Sequence, residues 1–329
     1  MALILASIEG ARLLALHRPM KKEYTQFEWS PLVEEDCRRL VRLAVAEDLD
    51  RGHDWTTLSL APEDATAAAH VVVRKQGVIC GLEAARTTLQ EMSAQAEWHP
   101  LAKDGDELKV GDFAARITGS ARDLLTAERI LLNFIGRLSG VATLTRQYVT
   151  AIAGTSARIY DTRKTTPGWR RLEKYAVRSG GGNNHRGGLY DGILIKDNHL
   201  ALGRQRKKGP RYKPAEAVEK ARQFLADYFV DDPKNAAMML EVEVDSLIQL
   251  DAVLPTAPDI ILLDNMNTKQ LREAVFRRNL SSVETELEAS GGVNLETVRS
   301  IAETGVERIS VGALTHSAVN LDVALDWEI

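Results

Sequence analysis

The sequence predicts an α/β protein in two parts: a small α+β unit followed by a parallel sheet with crossover helices. Two observations carry this. After residue 157 short apolar runs alternate with segments of helical pattern, the arrangement that lays helices on the faces of a parallel sheet. Before it, short strand-like runs are broken at Gly77 and Gly111 and accompany helical stretches. The length of 329 residues suits one large or two medium domains and allows a sizeable core.

Taken in order, residues 1–20 are apolar with Arg12 and Arg18 and weakly resemble a targeting peptide. Glu9 interrupts them and no small-residue cleavage site follows, so residues 1–30 read as an N-terminal extension. Residues 31–48 form an amphipathic helix, with Ser30 as N-cap and Pro31 in the first turn. Residues 67–80 read as two short strands divided at Gly77, and residues 83–92 as a helix. Residues 107–110 and 113–119 read as strands of an antiparallel sheet joined by a turn at Gly111-Asp112. His53, His70 and His99 are scattered and read as structural or surface residues. Residues 121–152 carry the longest helical pattern, with Leu131, Phe134, Leu138, Val141 and Tyr148 on one stripe. Ser120 followed by Asp123 resembles a capping box, and Gly136 and Gly140 weaken the middle enough to allow a break near Ser139. Strands are then expected at 157–160, 192–195, 239–244, 260–263, 286–289 and 308–311, with helices at 214–228, 246–254, 268–278 and 295–304. Such a series fits either a barrel or a doubly wound sheet, with the barrel preferred.

The bulk properties exclude some functions. A net charge of −4 with no basic arm argues against a nucleic-acid partner. No apolar run approaches the ~20 residues of a membrane span. Cys37 and Cys80 lie far apart with neither metal nor disulfide spacing, so a cytoplasmic setting is expected.

Against this background residues 161–213 hold fourteen Lys and Arg but four Asp and Glu. The run contains Thr162-Arg-Lys-Thr-Thr-Pro-Gly168 and the cluster Gly180-Gly-Gly182, Gly187 and Gly188. Glycines let the backbone approach a ligand closely, and arginines clamp carboxylates or phosphates in bidentate fashion. The expected strands end at or near Asp161, Lys196, Glu243, Asp264, Ser290-Gly-Gly292 and Gly312. In a parallel barrel these residues share one rim, where active sites sit. Glu243 and Asp264 are hard oxygen ligands suited to Mg²⁺. Ser290-Gly291-Gly292 and Gly312 offer backbone N–H groups to a phosphate. Two anions are expected there, one metal-bound and phosphorylated, the other held by Arg163, Lys164, His185, Arg186 and Lys196. No activated nucleophile is evident.

Together with Asn184-His-Arg186, Ile195-Lys-Asp-Asn-His199, Leu240-Glu-Val-Glu-Val244, Ile261-Leu-Leu-Asp-Asn-Met266, Glu288-Ala-Ser-Gly-Gly292 and Ile309-Ser-Val-Gly-Ala-Leu-Thr315, these motifs resemble the quinolinate phosphoribosyltransferase family over residues 31–329. The resemblance implies a type II phosphoribosyltransferase fold, an α/β sandwich plus an open, incomplete α/β barrel. The sandwich would occupy residues 31–137 and the barrel 138–315, with the tail 316–329 free to pack on the sandwich. It implies that quinolinate and phosphoribosyl pyrophosphate give nicotinate mononucleotide, pyrophosphate and CO₂ with Mg²⁺, in NAD biosynthesis. It also implies a homodimer, or a higher oligomer built on it, whose partner completes each site. By matching positions, Arg163, His185, Arg186 and Lys196 resemble the quinolinate set, and Arg129 the arginine that the partner supplies. Thr162, which opens the Arg163-Lys164 motif, joins the substrate contacts. Lys164, Glu243 and Asp264 resemble the phosphoribosyl pyrophosphate and metal set, and Ser290, Gly291, Gly292 and Gly312 the 5′-phosphate cradle. So many cations suit a dicarboxylate, because a monocarboxylate would leave buried charge unpaired. The basic stretch 200–214 departs from the family pattern and reads as a solvated loop in preference to a lid.

Overall fold

The computed structural model describes residues 22–203, 209–281 and 283–328. The order of residues 1–21 and the role of the basic loop at 204–208 lie outside them.

Two main sheets organise the chain. The first is four-stranded and antiparallel, built from β1 (Thr66–Val73), β3 (Ala96–Pro100), β5 (Phe113–Ser120) and β12 (Val323–Trp327), in the order β12-β1-β5-β3. The C-terminal strand thus returns to the first unit and pairs with β1. The short strands β2 (Gly77–Val78) and β4 (Glu107–Leu108) pair with each other. This corrects the expected hairpin, since β4 and β5 do not pair. Gly111, at φ +89°, instead redirects the chain so that β5 joins β1 and β3. β3 escaped the sequence reading because Glu97, His99 and Pro100 are exposed. It is an edge strand, where proline is tolerated.

The second sheet has six parallel strands: β6 (Arg158–Tyr160), β7 (Gly192–Ile195), β8 (Met239–Val244), β9 (Ile260–Asp264), β10 (Glu286–Ser290) and β11 (Arg308–Ser310). Their order is β6-β11-β10-β9-β8-β7. The barrel is open, because β6 and β7 are edges and do not pair with each other. At the free edge of β6 the loop residue Asn183 bridges Tyr160.

Helix Ala121–Ala151 serves both units and is continuous. It corrects the expectation of a weakened middle. Gly136 and Gly140 stand where the C-terminal segment crosses: a Cβ on Gly140 would lie 2.2 Å from the Val319 carbonyl oxygen, and Gly136 accepts a hydrogen bond from Leu321 N–H at 2.9 Å. The glycines exist for close approach and do not mark a break. Ser120 caps the helix by accepting from Asp123 N–H.

Side chains alternate along each barrel strand. On β8 and β10, Leu240, Val242, Val244, Leu287 and Ala289 pack into the helix-facing core. Their neighbours Glu241, Glu243, Glu286 and Glu288 therefore face the interior. Arg308 of β11 lies among them, 0% exposed, with its guanidinium 3.6 Å from the Tyr160 ring centre. It donates to Glu288 at 3.0 Å and to Glu286 at 3.2 Å. Burial disfavours its charge, but Glu288, Tyr160 and Glu23 more than offset this and raise its pKa.

Residues 22–30 correct the reading of residues 1–30 as a mere extension. Of these, residues 22–24 run along the floor of the barrel. Glu23 accepts from Arg308 at 3.0 Å and Tyr160 Oη at 2.7 Å. Tyr24, buried, donates to Glu241 at 2.7 Å.

Removing one partner of a buried charged network costs about 3–5 kcal/mol, so Arg308→Ala should lower the urea-unfolding free energy on that scale. Arg299→Ala, which breaks an exposed i,i+4 pair with Glu303 and an exposed hydrogen bond to the Ala153 carbonyl, should change it by about 1 kcal/mol at most. Gly→Ala in a helix ordinarily stabilises by about 1 kcal/mol. Gly140→Ala should instead destabilise by about 1–3 kcal/mol through overpacking against Val319.

Candidate active site

The carboxyl ends of the barrel strands enclose a cavity of about 790 Å³. Of the predicted residues, Thr162, Arg163, Lys164, His185, Arg186, Lys196, Asp264, Ser290, Gly291, Gly292 and Gly312 line it. Glu243 lies beside them, its carboxylate ion-paired with Lys196. Arg129 does not join them. It stands exposed on helix Ala121–Ala151.

One end of the cavity is a backbone cradle. Gly291 and Gly292 follow Ser290 with φ of +95° and +61°, a conformation whose N–H groups can converge on an anion. A Cβ on Gly291 would lie 2.1 Å from Asn265 Oδ1, so no side chain fits there. Across the cavity a Cβ on Gly312 would lie 3.0 Å from Lys164 Cδ. The glycine thus makes room for the lysine. Thr315 Oγ1 anchors that loop by donating to the Lys164 carbonyl at 2.6 Å.

The other end is cationic. Burial and the neighbouring charges of Arg186 and Arg170 push the Arg163 pKa down. Its Nε is buried without a hydrogen-bond partner among the described residues. Arg186, also buried, donates Nη1–H to the Gly192 carbonyl at 3.2 Å. A neighbouring guanidinium pair of this kind is stabilised when an anion arrives between or beside the groups.

The loop carrying His185 and Arg186 is fixed from behind. Asp161, which the sequence placed at the rim, is fully buried and ion-paired with Lys174 of helix Arg170–Ser179. It also accepts from Asn184 Nδ2 at 2.7 Å and His185 N–H at 2.9 Å. Burial raises the Asp161 pKa and lowers that of Lys174, each opposed by the attraction of the other. The glycines of this region do not approach a ligand as expected. A Cβ on Gly180 would lie 2.4 Å from the Ala142 carbonyl oxygen, and one on Gly182 2.7 Å from Thr145 Cγ2. They seat the loop against the long helix.

His185 has both ring nitrogens engaged. Nδ1 accepts from Arg186 N–H at 2.7 Å, while Nε2 lies 3.0 Å from Glu241 and 3.6 Å from Glu288. Burial works against a charged ring, but Glu241 and Glu288 outweigh it and raise the pKa. The three side chains form a compact His-carboxylate group, but Arg308 already supplies positive charge there, and we assign it no metal.

Glu288, His316, Asn265, Leu194 and Leu262 also line the cavity and were missed as site residues. Glu288 was traceable through the two-residue period of Glu286-Leu-Glu288. Asn265, at φ +54° beside Asp264, and His316, after Thr315, carry no local signal. Glu243 and Asp264 are half-buried carboxylates at the rim, on adjacent strands beside the cradle. They fit Mg²⁺, which takes one or two carboxylates and completes its shell with water and phosphate oxygens. No helix of the described residues is long and apolar enough to cross a membrane.

Comparison with known proteins accords with this geometry. Residues 54–139 match the model of the quinolinate phosphoribosyl transferase N-terminal domain, and residues 141–326 that of its C-terminal domain. The two matches meet within helix Ala121–Ala151. The chain is 43% identical to a carboxylating nicotinate-nucleotide pyrophosphorylase of Mycobacterium leprae, covering 88% of this chain and 96% of that protein. A probable enzyme of the same name from Bacillus subtilis is 39% identical, over 88% and 92% of the two chains. The solved nicotinate-nucleotide pyrophosphorylase of Francisella tularensis superposes with a TM-score of 0.81 at 34% identity, over 93% and 100% of the chains. Motifs, cavity and relatives converge, and the chain belongs to the quinolinate phosphoribosyltransferase family.

Proposed function

We propose that this chain performs the family's reaction through the cavity residues acting in two groups, one for each substrate. The observation that carries this is the pair Arg163 and Arg186 on one wall of the cavity, where Arg163 Nε is buried without a hydrogen-bond partner among the described residues and burial and the neighbouring Arg186 push the Arg163 pKa down. Arg163, Arg186 and Lys196 hold the two carboxylates of quinolinate, over the floor formed by His185. Arg129, exposed on its helix, reaches the site of a neighbouring copy in a homodimer, which can build into larger assemblies. Thr162 shapes the loop by accepting from Lys164 N–H at 3.1 Å. Ser290, Gly291, Gly292 and Gly312 cradle the 5′-phosphate of phosphoribosyl pyrophosphate. Glu243 and Asp264 hold Mg²⁺, directly or through water; when bound, it supplies charge neutralisation for the leaving pyrophosphate.

Chemistry then rests on positioning and fields. The pyridine nitrogen attacks ribose C1 as the bond to pyrophosphate breaks. Lys164 stabilises the departing negative charge, and Glu243 and Asp264 the oxocarbenium character of the sugar. The ring of the resulting nucleotide is cationic, so it holds the electron pair left at C2 when the 2-carboxylate departs as CO₂. A proton from water then completes the product. No side-chain nucleophile takes part. The setting is cytoplasmic.

Purified protein supplied with Mg²⁺ and phosphoribosyl pyrophosphate should convert quinolinate to nicotinate mononucleotide with stoichiometric CO₂, and should not turn over nicotinate. Turnover of nicotinate alone would overturn the dicarboxylate assignment. Lys164→Ala should lower kcat by about a hundredfold or more, the scale of losing one group aimed at developing charge; an unchanged kcat removes Lys164 from this role. Arg129→Ala and Arg163→Ala should each be inactive alone. Subunits exchanged at random should recover about a quarter of the sites, because half the dimers then hold one intact site. No recovery would place Arg129 outside the partner's site.

A further inference from the structure

Residues 22–27 do more than close the barrel floor. They form a strap in which Lys22 and Glu23 meet the barrel strands and their flanks, while contacts of residues 24–27 converge on the one loop that carries His185 and Arg186. Gln26 makes a reciprocal pair with Asn184: its Nε2–H donates to the Asn184 carbonyl at 3.0 Å, and its Oε1 accepts from Asn184 N–H at 2.9 Å. Phe27 N–H donates to Asn184 Oδ1 at 2.7 Å. Asn184 is fully buried, and buried backbone groups need such partners. Tyr24 stacks on the His185 ring at 4.6 Å and 24°, and also donates to Glu241, the acceptor of His185 Nε2. Phe27 packs so closely under Gly187 that a Cβ there would lie 2.8 Å from Cζ. Thr25 donates to Asp191, whose other oxygen accepts from Gly187 N–H at 2.7 Å.

Every residue from Asn184 to Gly187 is thus touched by the strap directly or through one intermediary. Asp161 and Lys174 hold the same loop from inside the fold. The strap is the second jaw. Substrate-binding groups need support of this sort, since a displacement of about 1 Å at the reacting groups can cost a hundredfold in rate. We infer that Tyr24 and Gln26 are positioning residues for the dicarboxylate end of the site: they hold the 184–187 loop in the geometry that presents Arg186 and the His185 ring to the cavity. The inference rests on the assignment of that end to quinolinate. It concerns residues outside the span of both family matches, which begin at residue 54.

The test compares Michaelis constants for the two substrates in full-length variants, together with thermal unfolding. Gln26→Ala removes two hydrogen bonds to the loop and should raise the quinolinate KM about tenfold. The KM for phosphoribosyl pyrophosphate and the kcat at saturating quinolinate should stay within about twofold, because the phosphate cradle lies on other loops. Tyr24→Ala should act likewise. Tyr24→Phe keeps the stack and the packing volume, loses only the bond to Glu241, and should show a smaller rise of the same kind. Lys22→Ala, whose contacts are with Met238 and Asp259, should leave both KM values unchanged. A strap that merely stabilises the fold would lower the melting temperature and the active fraction and leave the quinolinate KM alone. That result, or an equal rise in both KM values, overturns the inference. Where Gln26→Ala proves too unstable to assay, the isosteric Tyr24→Phe decides. Failure of the unaltered protein to turn over quinolinate would sink the assignment of the site itself; an active parent with unshifted variants would sink only the strap's role.

Discussion

Arg308 is the residue on which the rest of the barrel depends. Six parallel strands ordinarily fill their interior with aliphatic layers. Here β8 and β10 bring Glu241, Glu286 and Glu288 inward, and the strap adds Glu23 from below. Buried carboxylates of this number are tolerable only when paired and hydrogen-bonded. Arg308 reaches Glu23, Glu286 and Glu288 at once and lies over the Tyr160 ring. Arg158 shares Glu23 and Glu286 at the outer edge of the same network. The consequence extends upward. Above this floor the rim carries Arg163, Lys164 and Arg186 together with Asp264, and Glu243 paired with Lys196. The charges of the floor are thus paired among themselves, which leaves the Arg163 and Arg186 side of the cavity as the cationic end of the proposed site.

The second constraint is steric. The Arg163 and Arg186 loops hang between the long helix and the barrel edge, and glycines set their distance. Gly180 and Gly182 press on Ala142 and Thr145, while Gly140 admits the C-terminal segment on another face of the same helix. The helix is therefore a spine shared by both units. A shift in it would move the anion-binding loop and the returning β12 together.

Much of this was legible in the sequence. Strand ends could be read from apolar runs that stop at Lys196, Asp264 or Ser290, because a parallel barrel sends every carboxyl end to one face. Of the fourteen basic residues within 161–213, Arg163, Lys164, Arg186 and Lys196 line the cavity, whereas Lys174 and Arg171 are paired with Asp161 and Asp36. What escaped has a common physical character. Gln26 and Tyr24 act on partners such as Asn184 and Glu241 that are distant in sequence, and residues 22–30 have no periodicity to betray a role. Gly136 and Gly140 look like helix breakers until the crossing segment is seen. β2 and β4 are two residues each and owe their pairing to tertiary placement. Local pattern reports which face a residue takes, but not what lies opposite.

The proposed reaction requires a cavity preset for two negative charges on one small ring. Calorimetric titration of the protein with quinolinate and, separately, with nicotinate measures this most directly, before any turnover and without the second substrate. Each charge-assisted hydrogen bond contributes about 1.5–3 kcal/mol, so quinolinate should bind at least about tenfold more tightly, with an advantage that shrinks as ionic strength rises. Equal affinity for the two acids, insensitive to salt, would contradict the account.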